Sequence, residues 1–279
     1  MKIINGYDLI QYAKERDFML PAFNTTNLET TKAIIQGLND VHLPGMVQIS
    51  SNNLRLSNPK VIAYLVKEFL KDCDTPIGLH LDHGKSFEDV KACVDAGFTS
   101  IMVDASDKDF EGNIAEVKKT VEYCHLYHVP VEAELGAIMG KEDDDVSEAD
   151  CKTDPKLVKE FVERTGCDLL AVSIGNVHGL DAIPKIDLPL LKQIAENSPV
   201  PLVLHGGSGI PFKQVQEMKK YKMVKVNYGS DLRKAYIHTF GEAYEMKHNE
   251  ANLYGLSMKA VENVRHTVSD LVCIINGLK

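Results

Sequence analysis

Three histidines in this chain stand where a short apolar run meets glycine. They are His83 in Leu81-Asp82-His83-Gly84, His178 in Gly175-Asn176-Val177-His178-Gly179 and His205 in Leu204-His205-Gly206-Gly207-Ser208-Gly209. Any one alone reads as a structural histidine. Together, at comparable positions, they make a tripod of imidazoles for a divalent ion with a position left open, the donor set expected of catalytic zinc. Carboxylates accompany them. Asp82 adjoins His83 and is placed either for proton transfer or as the outer partner of a histidine ligand. Asp104 and Glu134 lie at or near the ends of two more apolar runs and could hold a second or alternative metal position. Glu132 shares the side-chain parity of Glu134, so alternation alone does not separate their inward roles. Glu142 heads the acidic run Glu142-Asp143-Asp144-Asp145, one member of which could swing in as a base.

A second chemistry is written beside the first. Gly206-Gly207-Ser208-Gly209 and Asn227-Tyr228-Gly229-Ser230 offer main-chain N–H groups and hydroxyls, the donors that bind phosphate. Arg233, four residues after Gly229, could grip a second phosphate through its two-pronged guanidinium.

Elements must bring these residues together. Eight short apolar runs bounded by turn residues read as strands buried on both faces: Leu20–Asn24, Met46–Ser50, Ile77–Asp82, Ser100–Asp104, Val131–Leu135, Leu169–Ser173, Pro201–His205 and Met223–Asn227. Helical patterns alternate with them, among them Ser86–Ala96, Asn113–His128, Pro155–Thr165 and Phe212–Lys220. Eight such units imply an α/β fold, a (β/α)8 TIM barrel, whose active site forms at the C-terminal ends of the strands. An open doubly wound sheet is the alternative, but no Gly-x-Gly-x-x-Gly follows the first strand. Gly229–Lys247 and Met258–Ile275 read as helices, the latter an extra C-terminal one. No linker divides the chain, so residues 1–279 form one domain. His80 shares Asp82's strand and reads as a core histidine or an outer partner.

The formal charge of −9 argues against a nucleic-acid or anionic-membrane footprint, so an anionic substrate must be held by a local site. There is no apolar run of membrane-spanning length and no signal peptide. Six scattered cysteines read as buried, reduced thiols of a cytoplasmic protein.

These motifs, with Glu132-Ala133-Glu134-Leu135-Gly136 and Pro21-Ala22-Phe23-Asn24, resemble in order those of the class II fructose/tagatose-bisphosphate aldolases, from about Tyr12 to Arg233. The resemblance implies Zn2+ on His83, His178 and His205, with Asp104 and Glu134 at an alternative metal position and a monovalent cation nearby. It implies Asp82 as catalytic acid/base and Glu142 as the residue that moves the ketose-phosphate proton. Asn24, Ser50, Gly179, Gly206, Ser208, Asn227, Gly229 and Ser230 would line the phosphorylated sugar, and Arg233 its distal phosphate. A homodimer or homotetramer is implied. Many fructose-bisphosphate aldolases have aspartate where this chain has Gly229, so the resemblance leans towards the tagatose-1,6-bisphosphate branch. The rivals are an aldolase for another ketose 1-phosphate and a non-catalytic phosphosugar-binding protein. A Schiff-base aldolase would need an inward lysine, and the parity of Lys225 does not exclude one.

Overall fold

The computed structural model describes residues 2–138, 140–142, 145–147, 151–180, 182–249 and 251–279; side chains of 140–142 and 145–147 lie outside the description. Helix α1 (Gly6–Glu15) precedes eight parallel strands: β1 (Leu20–Asn24), β2 (Gly45–Ser50), β3 (Ile77–Gly84), β4 (Ser100–Val103), β5 (Val131–Leu135), β8 (Leu169–Val172), β9 (Leu202–Leu204) and β10 (Met223–Tyr228). They close in the order β1-β10-β9-β8-β5-β4-β3-β2. Each expected strand is present, its ends within two residues of the expectation. The last pairing joins Leu20 to Lys225 and Ala22 to Asn227, so the ends of the sequence meet in one sheet.

The helices between strands are α2 (Leu28–Asp40), α3 (Pro59–Phe69), α4 (Phe87–Ala96), α5 (Phe110–His125), α6 (Pro155–Thr165), α7 (Leu188–Asn197) and α8 (Phe212–Met218); α9 (Ser230–Met246) and α10 (Leu253–Ile275) follow β10. Their starts obey the expected chemistry. Ser86 caps α4 by accepting from Asp89 N, and Asp154 caps α6 ahead of Pro155. A two-stranded hairpin, β6 (Gly140–Glu142) with β7 (Asp145–Ser147), follows β5 and is not among the eight strands expected from the sequence. Its polar residues lack the apolar alternation that betrays a core strand.

α1 sits under the barrel, burying Leu9, Ile10 and Ala13. α10 is longer than expected at its start and lies along α2, where Ser269 Oγ donates to the Gly37 carbonyl at 2.8 Å. A Cβ at Gly37 would lie 2.6 Å from the Arg265 carbonyl, so glycine permits that approach. Asn276 then bonds both main-chain groups of Met19, at 2.7 and 3.0 Å, pinning the end of the chain to the start of β1.

Candidate active site

All eight strands end at one mouth, and the three histidines meet there. Parity alone would not have allowed it. Asp82 is turned into the barrel, so its neighbour His83 should face the helices. The backbone breaks the alternation: His83 adopts φ 46° and the β3–β4 register shifts between Leu81 and Gly84. A bulge and a left-handed histidine thus aim two successive side chains at the mouth. Ring centroids of His83 lie 4.7 Å from His205 and 5.3 Å from His178. One ring nitrogen from each of the three falls within 4.8 Å of the others.

Each of two rings is held from behind by a carboxylate. His83 Nδ1 lies 2.9 Å from Asp104 Oδ2, and His205 Nε2 lies 2.8 Å from Glu132 Oε1. With those nitrogens carrying the protons, the remaining two, His83 Nε2 and His205 Nδ1, confront each other at 2.9 Å as acceptors. Facing lone pairs repel unless a cation lies between them, so the donor set fits a bound divalent ion.

Glu132 is itself held by Lys225, whose ammonium reaches Oε2 at 2.9 Å and Asn227 Oδ1 at 2.7 Å. Both are fully buried. Burial pushes the Glu132 carboxyl up, but Lys225, then His205 and His80, outweigh it and hold the carboxyl well below its usual range. His80 is buried beside this pair, its Nδ1 2.8 Å from Ser100 Oγ, as a core histidine should be. Lys225 does face inward, but as an ammonium donating to a carboxylate rather than a free amine.

Asp82 is completely buried. Its Oδ2 accepts from Asn24 Nδ2 at 2.8 Å and Gln48 Nε2 at 3.1 Å, and its Oδ1 from Asn227 Nδ2 at 3.1 Å. Three carboxamide donors suit an ionised carboxylate, which only accepts. Sequence reading missed Gln48, although a glutamine within the apolar run Gly45–Ser50 was a signal that something polar lies inside.

Asp104 and Glu134 form a second possible donor group with His83. Burial pushes Asp104 up, but His83 and Lys85 outweigh it and hold its carboxyl well below the usual range. Burial, then the charge of Asp104, push Glu134 up to about 8. The backbone of Glu142 ends β6; its side chain lies outside the described residues, as do Asp143 and Asp144.

Beside the tripod opens a pocket lined by Asn24, His178, Gly179, Gly206, Ser208, Asn227, Gly229, Ser230 and Arg233. Apart from the expected metal ligand His178, those are all but one of the residues expected to hold substrate. The exception, Ser50, is buried and accepts from Asn53 at 3.1 Å. The pocket borders the N-terminus of α9, a ready anion site. Ser208 Oγ donates to Asp231 Oδ2 at 2.7 Å, so an anion meets the main-chain N–H groups of this turn, or Ser208 after it leaves Asp231. Gly206 has φ 63°, and a Cβ there would lie 2.1 Å from the Val177 carbonyl. Gly206→Ala is therefore expected to destabilise the protein by about 2 kcal/mol or more, lowering Tm by roughly 4–8 °C. An unchanged thermal transition would contradict this close approach.

Of the six cysteines, all free, five are buried as expected; Cys151 is exposed. No described helix is long and apolar enough to cross a membrane.

A parallel barrel with convergent imidazoles, a caged carboxylate and an anion pocket at one mouth has the architecture of the aldolases, lyases that cut a carbon–carbon bond beside a carbonyl. The chain belongs to the class-II fructose-bisphosphate aldolase family, whose sequence profile matches residues 4–277. It is 39% identical over 235 residues to the fructose-bisphosphate aldolase of Staphylococcus aureus strain Mu50, a match covering 83% of this chain and 82% of that one. The Staphylococcus epidermidis strain RP62A protein of the same name is 38% identical with the same coverage. The crystal structure of the YdjI aldolase from Escherichia coli K12 superposes with a TM-score of 0.85 at 26% identity, over 98% of this chain and 97% of that one.

Proposed function

We propose that this protein is a zinc-dependent aldolase that reversibly cleaves a ketose 1,6-bisphosphate, tagatose or fructose, to dihydroxyacetone phosphate and glyceraldehyde 3-phosphate. One observation carries the reading: His83, His178 and His205, the caged Asp82 and the α9 anion pocket share a single mouth. A divalent ion held by the three histidines would polarise the ketose carbonyl and spread the charge that develops as the bond breaks.

The chain's own residues supply the rest. Main-chain N–H groups around Gly206, Gly229 and Ser230 grip the phosphate of the three-carbon half, and Arg233 the distal phosphate. Fixing both ends sets the reacting carbons against Asp82, so remote binding energy lowers the barrier. Asp82 takes the proton of the C4 hydroxyl as the C3–C4 bond breaks and the aldehyde leaves. Glu142, on the hairpin that follows β5, gives a proton to C3 of the departing three-carbon fragment. In condensation the same two groups work in reverse.

The epimer preference turns on Gly229. A Cβ there would lie 3.0 Å from Arg233 Nη2 and 3.1 Å from Asn24 Oδ1. Any side chain must displace one of them, and its absence removes one polar contact to the sugar; this favours the tagatose reading. Exposed apolar residues on neighbouring stretches of α9 and α10, including Tyr244, Met246, Leu253 and Tyr254, support a homo-oligomer. The free cysteines support a cytoplasmic setting.

Chelation is expected to abolish cleavage of both bisphosphates and added Zn2+ to restore it, with tagatose bisphosphate the faster substrate. The assay couples released dihydroxyacetone phosphate to its reduction. Activity that survives complete metal removal would refute the metal mechanism; no cleavage of either sugar by zinc-loaded protein would refute the substrate.

A further inference from the structure

Lys85 follows the turn that carries Asp82 and His83, and its ammonium lies 2.8 Å from Asp104 Oδ2. That oxygen already accepts from His83 Nδ1 at 2.9 Å. The other, Oδ1, accepts from Ser106 Oγ at 2.7 Å and Ser106 N at 3.1 Å. Four donors fill the acceptor positions of this carboxylate. A divalent ion on His83, Asp104 and Glu134 would have to displace the ammonium and stand against its charge. We propose that Lys85 is a tethered cation that fills the charge position of the His83–Asp104–Glu134 group, so that the chain holds a single divalent ion, at the histidine tripod. The inference rests on the tripod reading above.

Asp104 then acts as a positioning residue. It fixes the His83 ring so that Nε2, not Nδ1, faces the other histidines. Lys85 makes this arrangement self-sufficient, because its ammonium balances a buried carboxylate that would otherwise recruit an ion from solution. The lysine side chain is 49% exposed against 7% for Asp104, so it reaches the carboxylate from the solvent side and adds little to the core. Glu134 Oε2 is buried with no hydrogen-bond partner among the described residues. Without the lysine, that oxygen and Asp104 Oδ2 are the atoms that a second ion would find.

Wild-type, Lys85→Ser and Lys85→Arg proteins, stripped of metal, are titrated with Zn2+ by calorimetry, with metal content measured after desalting. The expected result is one ion per chain for wild type and Lys85→Arg. Lys85→Ser should take up a second ion, at least tenfold more tightly than any second ion on wild type. Two ions on wild type, or one on Lys85→Ser, would overturn the proposal. No ion on wild type would bring down the tripod reading and this inference with it, a failure distinct from the other two.

Discussion

Replacing Asp82 with alanine is expected to lower kcat by about 10²–10⁴-fold, the usual worth of a positioned general acid–base. At 1.36 kcal/mol per decade this is roughly 3–5 kcal/mol of transition-state stabilisation. Metal content should stay at the wild-type value, because the candidate ligand group is His83, His178 and His205 and does not include Asp82. KM should move far less than kcat, since the phosphates are gripped elsewhere. A cost in stability accompanies the loss. Buried carboxamide donors of Asn24 and Asn227 lose an acceptor, while Gln48 keeps Asn24 Oδ1, so a drop of about 1–3 kcal/mol is expected. Asp82→Asn, which keeps the shape, separates the two effects: turnover should stay low whatever happens to the melting temperature. Wild-type turnover in either variant would remove Asp82 from proton transfer.

Lys225→Met is expected to be the most destabilising of the single substitutions considered. It leaves Glu132 ionised, buried and deprived of its strongest partner, a situation that costs about 3–5 kcal/mol. For a domain of this size Tm should fall by roughly 6–20 °C. The same change frees Asn227 Oδ1, which Lys225 holds at 2.7 Å, and so loosens one of the three amides on Asp82. Activity should therefore fall further than stability alone explains. Glu132→Gln combined with Lys225→Met should recover most of the lost stability, because no unpaired charge remains. If the double variant is as unstable as the sum of the singles, the pair is not coupled as described. Trapping with borohydride in the presence of substrate should label neither wild type nor variant, since Lys225, the buried inward lysine, donates to Glu132 and Asn227.

Most of the barrel was legible because β-strands buried on both faces leave an unambiguous trace: short apolar runs at regular intervals, closed by glycine or a polar residue. Leu20–Asn24 and Val131–Leu135 were readable to the residue. The site was legible in its types but not in its geometry. Nothing in Asp82-His83-Gly84 says that both side chains reach the mouth; that depends on one left-handed residue and a register slip against β4. Glu132 and Glu134 looked equivalent by parity, yet one braces His205 against Lys225 while the other lies nearer the rim, its Oε2 without a hydrogen-bond partner among the described residues. Gln48 and Lys85 escaped notice because each is ordinary in its own run, and their roles arise from residues distant in sequence. The hairpin escaped because its strands carry no apolar stripe.

The closure of β1 against β10 also sets the order in which this molecule can come to life on the ribosome. Asn24 and Gln48 emerge early, but the third amide on Asp82 belongs to Asn227, and β1 has no partner on its other edge until that strand exists. The intervening stretch of roughly 200 positions takes about 10–40 s to synthesise. Until then Asp82 lacks its third amide and Glu132 its lysine, so the nascent chain has no complete centre. A complete centre then appears only once β10 has emerged, and α10, by fastening Asn276 to Met19, holds the residue before β1 in place.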